Sequence, residues 1–173
     1  MGRVHECPPA QRGDPRQRTP EFPPTGRNLL ETHTYPPSDA YAVAVERQRI
    51  SSGSPYEATV GFSRAVRVGD RVLVSGTAPI WPDGSCDPDA GVQAERCLEI
   101  ILTALAQAGA GPEQVVRTRS YLVDRADEAA VSRAHGRVFS EIRPASTMIV
   151  VAGLLDPRWK VEMEAEAILD STD

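Results

Sequence analysis

Three glutamates near the end of the chain, Glu162, Glu164 and Glu166, occupy every second position. Carboxylates can exchange protons with a substrate or balance a positive charge, so the row is a candidate for catalytic chemistry. Alternate residues of a β-strand share a face, and a strand here would place all three carboxylates on one side. Because most charged rows lie in water, the function of this one depends on what it faces.

A second predicted strand, from the stretch EQVVRTRSYLVD, carries Arg117, Arg119 and Tyr121 on one face. Arginines opposite glutamates are typical of a polar subunit interface. Burying one such charge without a partner would be costly, so a covered face requires pairing. The alternative is an open face in water, where ion pairs contribute little. We expect the covered face.

The elements that position these residues begin with a β-hairpin. The stretch FSRAVRVGDRVLVSG predicts two short strands joined by a Gly-Asp turn at 69–70. A helix follows, with Asp87 as its N-cap and Pro88 in its first turn, and Gly109 and Gly111 end it. Its apolar stripe comprises Ala94, Leu98, Ile101, Leu102 and Leu105.

The second half of the chain predicts a second helix and two final strands. Asp124 or Asp127 caps this helix and Pro144 ends it. Residues 146–155 and 161–169 then form the strands. The apolar face of the helix comprises Val131, Ala134, Val138 and Ile142. The order ββαβαββ predicts an α+β fold, with two helices on one face of a mixed sheet.

Residues 1–45 differ in composition from the rest of the chain. Eight of the 15 prolines fall in the first forty positions, with few aliphatic residues. Such a segment cannot bury enough apolar surface to offset the entropy lost on ordering. We expect a loosely ordered extension followed by one domain at residues 46–173. Near the boundary, residues 41–48 fit either a helix or a strand.

The composition argues against several functional classes. A net charge of −5 disfavours nucleic acid as the main partner. The three cysteines lack Cys-x-x-Cys or Cys/His spacing, which indicates a reducing compartment and no metal site. No apolar run reaches the ~18 residues of a membrane helix, and we find no signal-peptide core. We therefore expect a cytoplasmic protein with no membrane partner and no cofactor.

Four stretches, in order over about residues 58–168, resemble the Rid family, the YjgF/YER057c/UK114 proteins. They are VGFSRAVRVGDRVLVSGTAP, LAQAGAGPEQVVRTRSYLVD, VFSEIRPAST and KVEMEAEA, and Gln93 adds to the match. The resemblance implies a chorismate-mutase-like fold in a barrel-like homotrimer, with the sheets inside and the helices outside. It also implies a small-molecule site in each cleft between subunits, which the glutamate row would face.

In the deaminating branch of that family, an arginine in a Pro-Ala-Arg motif binds the carboxylate of a 2-imino or 2-enamino acid. Ser146 stands at that position here. A guanidinium gives a carboxylate two parallel charge-assisted hydrogen bonds that a serine cannot replace, so the resemblance leaves the substrate open. Arg119 or Arg143 could bind the carboxylate instead, although each is more often a salt-bridge partner.

The same resemblance implies further site residues. Glu162 matches the family's site glutamate, which would stabilise a cationic iminium and accept a proton from the attacking water. Ser75 matches a strand-end serine that would orient water or substrate. The remaining matches depart from the family pattern and would line the pocket: Phe62, Ser132 and Met148.

Together these expectations predict a cofactor-free enamine/imine deaminase that releases ammonia from a small-molecule substrate. An alternative is a non-catalytic trimer that binds a metabolite or assists a biosynthetic pathway. A third interpretation is the ribonuclease activity attributed to some relatives, which fits poorly with the net charge of −5.

Overall fold

The hairpin predicted around residues 69–70 is present and belongs to a larger sheet. The computed structural model describes residues 46–170, and the predicted extension at 1–45 lies outside them. The strands are β1 (Arg47–Ile50), β2 (Ala65–Val68), β3 (Arg71–Thr77), β4 (Val115–Leu122), β5 (Ala145–Val150) and β6 (Val161–Ile168). The helices are α1 (Ala90–Gln107) and α2 (Glu128–Phe139).

This order confirms the predicted ββαβαββ arrangement and adds β1 before it. Of the undecided residues 41–48, Arg47 and Gln48 belong to β1. Residues 41–45 lie outside the described part of the chain. A one-turn π-helix (Glu57–Gly61) connects β1 to β2.

The strands join one mixed sheet in the order β1-β2-β3-β6-β4-β5. β4 and β5 run parallel, and α2 lies in the crossover connection that such a pair requires. The other neighbouring strands run antiparallel. β6 lies between β3 and β4, so the glutamate row comes to the middle of the sheet.

Apolar side chains of both helices form the core against one face of this sheet. The predicted stripe of α1 is buried, apart from the partly buried Leu102. The alternate residues of β6 are buried in the same core: Val161, Met163, Ala165 and Ala167. The predicted alternation of β6 is therefore confirmed, with the glutamates on the opposite face. Within residues 46–170, no helix combines the length and apolar character needed to cross a membrane.

The predicted N-terminus of the first helix is wrong by two residues. α1 begins at Ala90, because the carboxylate of Asp89 accepts a hydrogen bond from the Val92 N–H at 3.0 Å. The carboxylate of Asp87 instead accepts the N–H of Asp89, which forms the turn before the helix.

The predicted end of the second helix is also wrong. α2 ends at Phe139 rather than just before Pro144. Arg143 adopts φ of 56°, a left-handed conformation that a continuing right-handed helix cannot contain. Ile142 therefore lies beyond the helix, although its side chain still packs against the core.

Candidate functional site

The face of the sheet opposite the helices carries the acidic row and the predicted arginines. The register between β4 and β6 pairs Arg117 with Glu166, Arg119 with Glu164, and Tyr121 with Glu162. The predicted juxtaposition of arginines and glutamates is thus confirmed. We call this surface the glutamate face, defined by these six residues.

Two of the three glutamates are neutralised by arginines. Arg119 Nη1 lies 2.5 Å from Glu164 Oε1 and 3.1 Å from Glu166 Oε1. Arg117 and Arg71 also approach Glu166, at 3.9 and 3.7 Å. Within residues 46–170, no basic nitrogen lies within 4.0 Å of the Glu162 carboxylate. Glu162 is therefore the glutamate of the row that forms no salt bridge within residues 46–170.

The environment of Glu162 makes its carboxyl less acidic than a solvated one. Its side chain is half-buried, and this burial raises the pKa of the carboxyl above its ordinary value. The positive charge of Arg64 opposes the rise, and the negative charge of Glu164 adds to it. A carboxyl held in this way can exchange a proton more readily near neutral pH than a solvated one.

Gly76 makes room for the Glu162 side chain. It lies in β3 where the pairing with β6 shifts between Val74 and Thr77. A Cβ at position 76 would overlap Glu162 Oε1, so the carboxylate rests directly against the glycine backbone. Glycine inside a strand often marks such a close approach.

Arg64 holds this irregular segment of β3 and was not identified from the sequence. Its Nη2 donates hydrogen bonds to the carbonyl oxygens of Ser75 and Gly76, both at 2.7 Å. Burial lowers the pKa of the guanidinium, while the charges of Glu57 and Glu162 raise it. The glycine at 76 was the available signal, because it indicated an irregular strand that needs support from a neighbouring side chain.

Ser75 and Phe62 lie on the segments next to Glu162 and Arg64. The Ser75 hydroxyl donates to the Ser63 carbonyl at 2.8 Å, so its proton stabilises the contact between these segments. Its oxygen keeps lone pairs that can accept a hydrogen bond. Phe62 follows the π-helix and is 39% exposed, which leaves part of its ring available to a ligand.

A second set of predicted residues lies on the opposite side of the sheet. Ser146 pairs with the buried Thr118 in the β4–β5 register, and Thr118 Oγ1 donates to Ser146 Oγ at 3.1 Å. Met148 pairs with the buried Ser120 and packs against the core. Ser146 and Met148 therefore face the helix side, whereas Glu162 faces the other side. Within one chain, the structure does not bring them together with Glu162.

His135 of α2 joins this second set. Its Nε2 lies 2.9 Å from Thr118 Oγ1, and its ring stacks at a tilt on Phe139. Burial lowers the pKa of the imidazole. A chain of polar contacts thus connects His135 through Thr118 to Ser146 at the exposed strand β5.

The remaining predicted residues have local partners. Ser132 lies on the exposed side of α2 and donates to Glu128 Oε1 at 2.9 Å. Arg143 donates from Nε to the Ser140 carbonyl at 3.1 Å. Arg119 is engaged by two glutamates, so its guanidinium is less available to a substrate carboxylate than the sequence suggested.

Within residues 46–170, Glu162 belongs to no metal centre, and it lines neither of the two cavities described below. Among residues 46–170, no group of three or more His, Cys, Asp or Glu side chains could hold a metal ion. A cavity of about 490 Å³ is lined by Glu46, Gln48, Arg67 and Gly69, and contains none of the predicted site residues. The groups around Glu162 instead lie partly buried on the sheet face opposite the helices.

Comparisons with known proteins agree with this architecture. A family model described as Endoribonuclease L-PSP matches residues 52–169. An uncharacterized protein of Streptomyces coelicolor is 41% identical over 129 residues, covering 73% of this chain and 95% of that protein. A RutC family protein of Pyrococcus abyssi is 34% identical over 109 residues, covering 62% of this chain and 84% of that protein. The crystal structure of a YjgF/YER057c/UK114 family member from Mycobacterium tuberculosis matches with a TM-score of 0.66 and 40% identity, covering 72% of this chain and 100% of that chain.

Proposed function

Since the chain belongs to the Endoribonuclease L-PSP family, which includes the YjgF/YER057c/UK114 proteins, we propose that it hydrolyses a reactive imine or enamine and releases ammonia. The observation that carries this proposal is the environment of Glu162. Its carboxyl is half-buried, lies against the backbone of Gly76, and has a raised pKa, while its two neighbours in the row are paired with arginines.

In the proposed reaction, the protonated substrate is an iminium ion. The Glu162 carboxylate stabilises the positive charge and accepts a proton from water as the water oxygen bonds to the iminium carbon. The product of this step is a neutral carbinolamine. The Glu162 carboxylic acid then returns the proton to nitrogen. As the C–N bond breaks, the hydroxyl group of the carbinolamine gives its proton to the Glu162 carboxylate, and a carbonyl compound and ammonia leave. Ammonia or water then takes this proton and restores the carboxylate. An enamine reaches the same route after protonation at carbon gives the iminium.

Assembly as a homotrimer would complete the site. The glutamate face is flanked by exposed apolar side chains, Leu73, Ile149 and Ile168, between 43 and 47% exposed, which a second copy could cover. Two of the residues expected to bind substrate, Ser146 and Met148, lie on the helix side of β5, away from Glu162 of the same chain. A cleft between two copies would let one chain supply Glu162 and its neighbour supply Ser146 and Met148.

The substrate would lack the usual carboxylate or bind it through a different group. Ser146 offers one hydroxyl in place of a guanidinium fork, which removes about 1.5–3 kcal/mol of charged hydrogen bonding. Arg119 is held by Glu164 and Glu166. Arg143 is exposed next to β5 and is the arginine better placed to substitute.

The loss of the motif arginine also favours a second candidate function, a trimer that binds a metabolite without converting it. The ribonuclease activity named in the family's description has less support here. A polyanion would meet a net charge of −5 and a partly buried row of carboxylates. The cytoplasmic location and the absence of a cofactor remain predictions.

The test is the rate of ammonia release from imines that an amino-acid oxidase generates in the same solution. We expect the wild type to accelerate release and Glu162→Gln to reduce the rate about 100-fold or more. Glu164→Gln is the matched control and should retain most activity, because Glu164 is paired with Arg119. No acceleration by the wild type, or full activity in Glu162→Gln, would overturn the proposal. Thermal stabilisation by a ligand without turnover would indicate the binding protein.

A further inference from the structure

Arg64 is a half-buried cation whose hydrogen-bond partners are neutral backbone groups. Its Nε is buried and has no hydrogen-bond partner. Its nearest identified partners are neutral, the carbonyl oxygens of Ser75 and Gly76. Within residues 46–170, no carboxylate lies within 4.0 Å of the guanidinium. Burying a charge without an ionic partner is costly, so this position favours an anion from outside.

A cavity opens beside this guanidinium. Its volume is about 200 Å³, and it lies between α1 and the segment that follows β1. The polar part of its wall comprises Ser51, Ser52, Arg64, Arg96, Thr103 and Gln107. The cavity therefore brings two cations and three hydroxyl groups around a space large enough for a small polyatomic anion.

The rim of this cavity already binds a carboxylate of the same chain. Glu57 accepts hydrogen bonds from the Ser51 hydroxyl at 2.5 Å, the Ser52 N–H at 2.8 Å and the Ser52 hydroxyl at 2.7 Å. These hydrogen bonds lower the pKa of Glu57, and the bond from Ser51 has the largest effect. The segment at 51–52 is thus an arrangement of donors that fits an oxyanion.

Glu57 lies in a short segment that can move away from the Ser51 and Ser52 donors. It begins the one-turn π-helix, which contains no buried residue. A segment held by so few buried contacts can open locally at low cost. Its charge reaches Arg64, although its carboxylate is farther than 4.0 Å from the guanidinium.

We propose that this cavity binds a small oxyanion, of carboxylate or phosphate type, between Arg64 and Arg96, and that Glu57 competes with it. Nη1 of Arg64, which makes no hydrogen bond within residues 46–170, would donate to the anion, while Nη2 keeps its bonds to β3. Arg96 has its Nε and Nη1 engaged by the Ile80 carbonyl and Glu99, which fixes its position. The proposal does not depend on the imine reaction, because Glu162 does not line the cavity.

Isothermal titration calorimetry on the full chain tests the proposal with two probes, inorganic phosphate and acetate. Sodium chloride at matched ionic strength controls for general screening. We expect saturable binding of at least one probe. Binding of phosphate alone, acetate alone, or both would identify which oxyanion chemistry the cavity prefers, and each would support the proposal.

Variants locate the binding. Arg64→Met should weaken it on the order of tenfold to a hundredfold, as expected when a charged hydrogen bond is lost. Arg133→Met is the matched control, because Arg133 is an exposed arginine of α2 away from the cavity. Thr103→Phe should abolish binding by filling the cavity from an exposed helix position, with both arginines retained.

Glu57→Gln should bind the same probe several-fold more tightly, because the competing negative charge is removed while the side chain keeps its size. The absence of saturable binding for both probes would overturn the proposal. Unchanged binding in a folded Thr103→Phe chain would also overturn the proposal. This variant keeps the test valid if Arg64→Met does not fold.

Discussion

The carboxylate of Glu162 occupies the space over Gly76 that the Cβ of any other residue would fill. The two residues lie on neighbouring strands, at the point where the β3–β6 pairing is irregular. Arg64 stabilises the same part of β3 by donating hydrogen bonds to the carbonyl oxygens of Ser75 and Gly76. The position of the proposed catalytic carboxylate thus depends on a glycine and an arginine as well as on its own strand.

Gly76→Ala should abolish imine hydrolysis while the fold is retained. The added methyl group would displace the flexible end of Glu162, so the change in the free energy of unfolding should stay within about 1 kcal/mol. Gly136→Ala is the matched control, because no heavy atom lies within 4 Å of its ideal Cβ position. That change should leave activity intact and stabilise α2 by about 0.5–1 kcal/mol. Equal activity in the two variants would contradict the close-packing argument.

Glu162→Gln should be more stable than the wild type at neutral pH, although inactive. Burial raises the Glu162 pKa above 4.5, so the folded chain binds more protons than the unfolded chain just above that value. Stability therefore falls as the pH rises from 4.5 through the raised pKa, and the neutral amide escapes this loss. Urea unfolding at fixed protein concentration measures the free energy of unfolding of both chains at about pH 3.5 and about pH 7.5. Glu162→Gln should be more stable than the wild type only at the higher pH. Glu164→Gln should not gain stability at either pH, because its charge is paired.

Much of the fold could be predicted because it follows from alternation and helical spacing. The buried residues of β6 and the pairing of Arg119 with Glu164 both follow from the two-residue period of a strand. The helix ends were missed because side-chain caps and backbone conformation decide them locally. Asp89 rather than Asp87 bonds to the first turn of α1, and no sequence period distinguishes the two.

The site was harder to predict than the fold, because its residues are related only through strand register. Glu162 was found from its spacing, but Arg64 lies just before β2 and acts through backbone carbonyls of β3. Ser146 was placed in the same site as Glu162 by resemblance, yet the parallel pairing with β4 turns it to the helix side. In the proposed shared site the two halves belong to different copies, so a single chain does not bring them together.

Arg119→Met should weaken assembly if the glutamate face is covered by another copy. Losing this arginine would leave Glu164 without its ionic partner in a buried interface, and the dissociation constant should rise by more than about tenfold. Sedimentation at several protein concentrations measures this change. Arg137→Met removes an exposed pair with Glu95 on the helices and should alter assembly by less than about twofold. Identical sedimentation of both variants and the wild type would indicate that the face is open.

Ser146→Arg should improve the hydrolysis of imines derived from ordinary amino acids. A guanidinium at this position can bind the substrate carboxylate through two parallel hydrogen bonds, which should raise kcat/KM on the order of ten- to a hundredfold. Ser146→Lys is the matched control, because it adds the charge without the planar fork. Thr147→Arg adds the same group to the other face of β5 and should give no gain. A gain in Thr147→Arg equal to that in Ser146→Arg would contradict the assigned face.

The most direct test of a site shared between copies is complementation between two inactive chains. Glu162→Gln removes the proposed proton carrier, and Ser146→Trp blocks the pocket from the neighbouring chain. Each variant alone should be inactive. When the two chains are co-expressed in equal amounts and assemble at random, about a quarter of all clefts would hold both native residues, and we expect ammonia release to return in that proportion. Mixed assemblies that remain as inactive as the separate variants would contradict a catalytic cleft built from Glu162 of one chain and Ser146 of its neighbour.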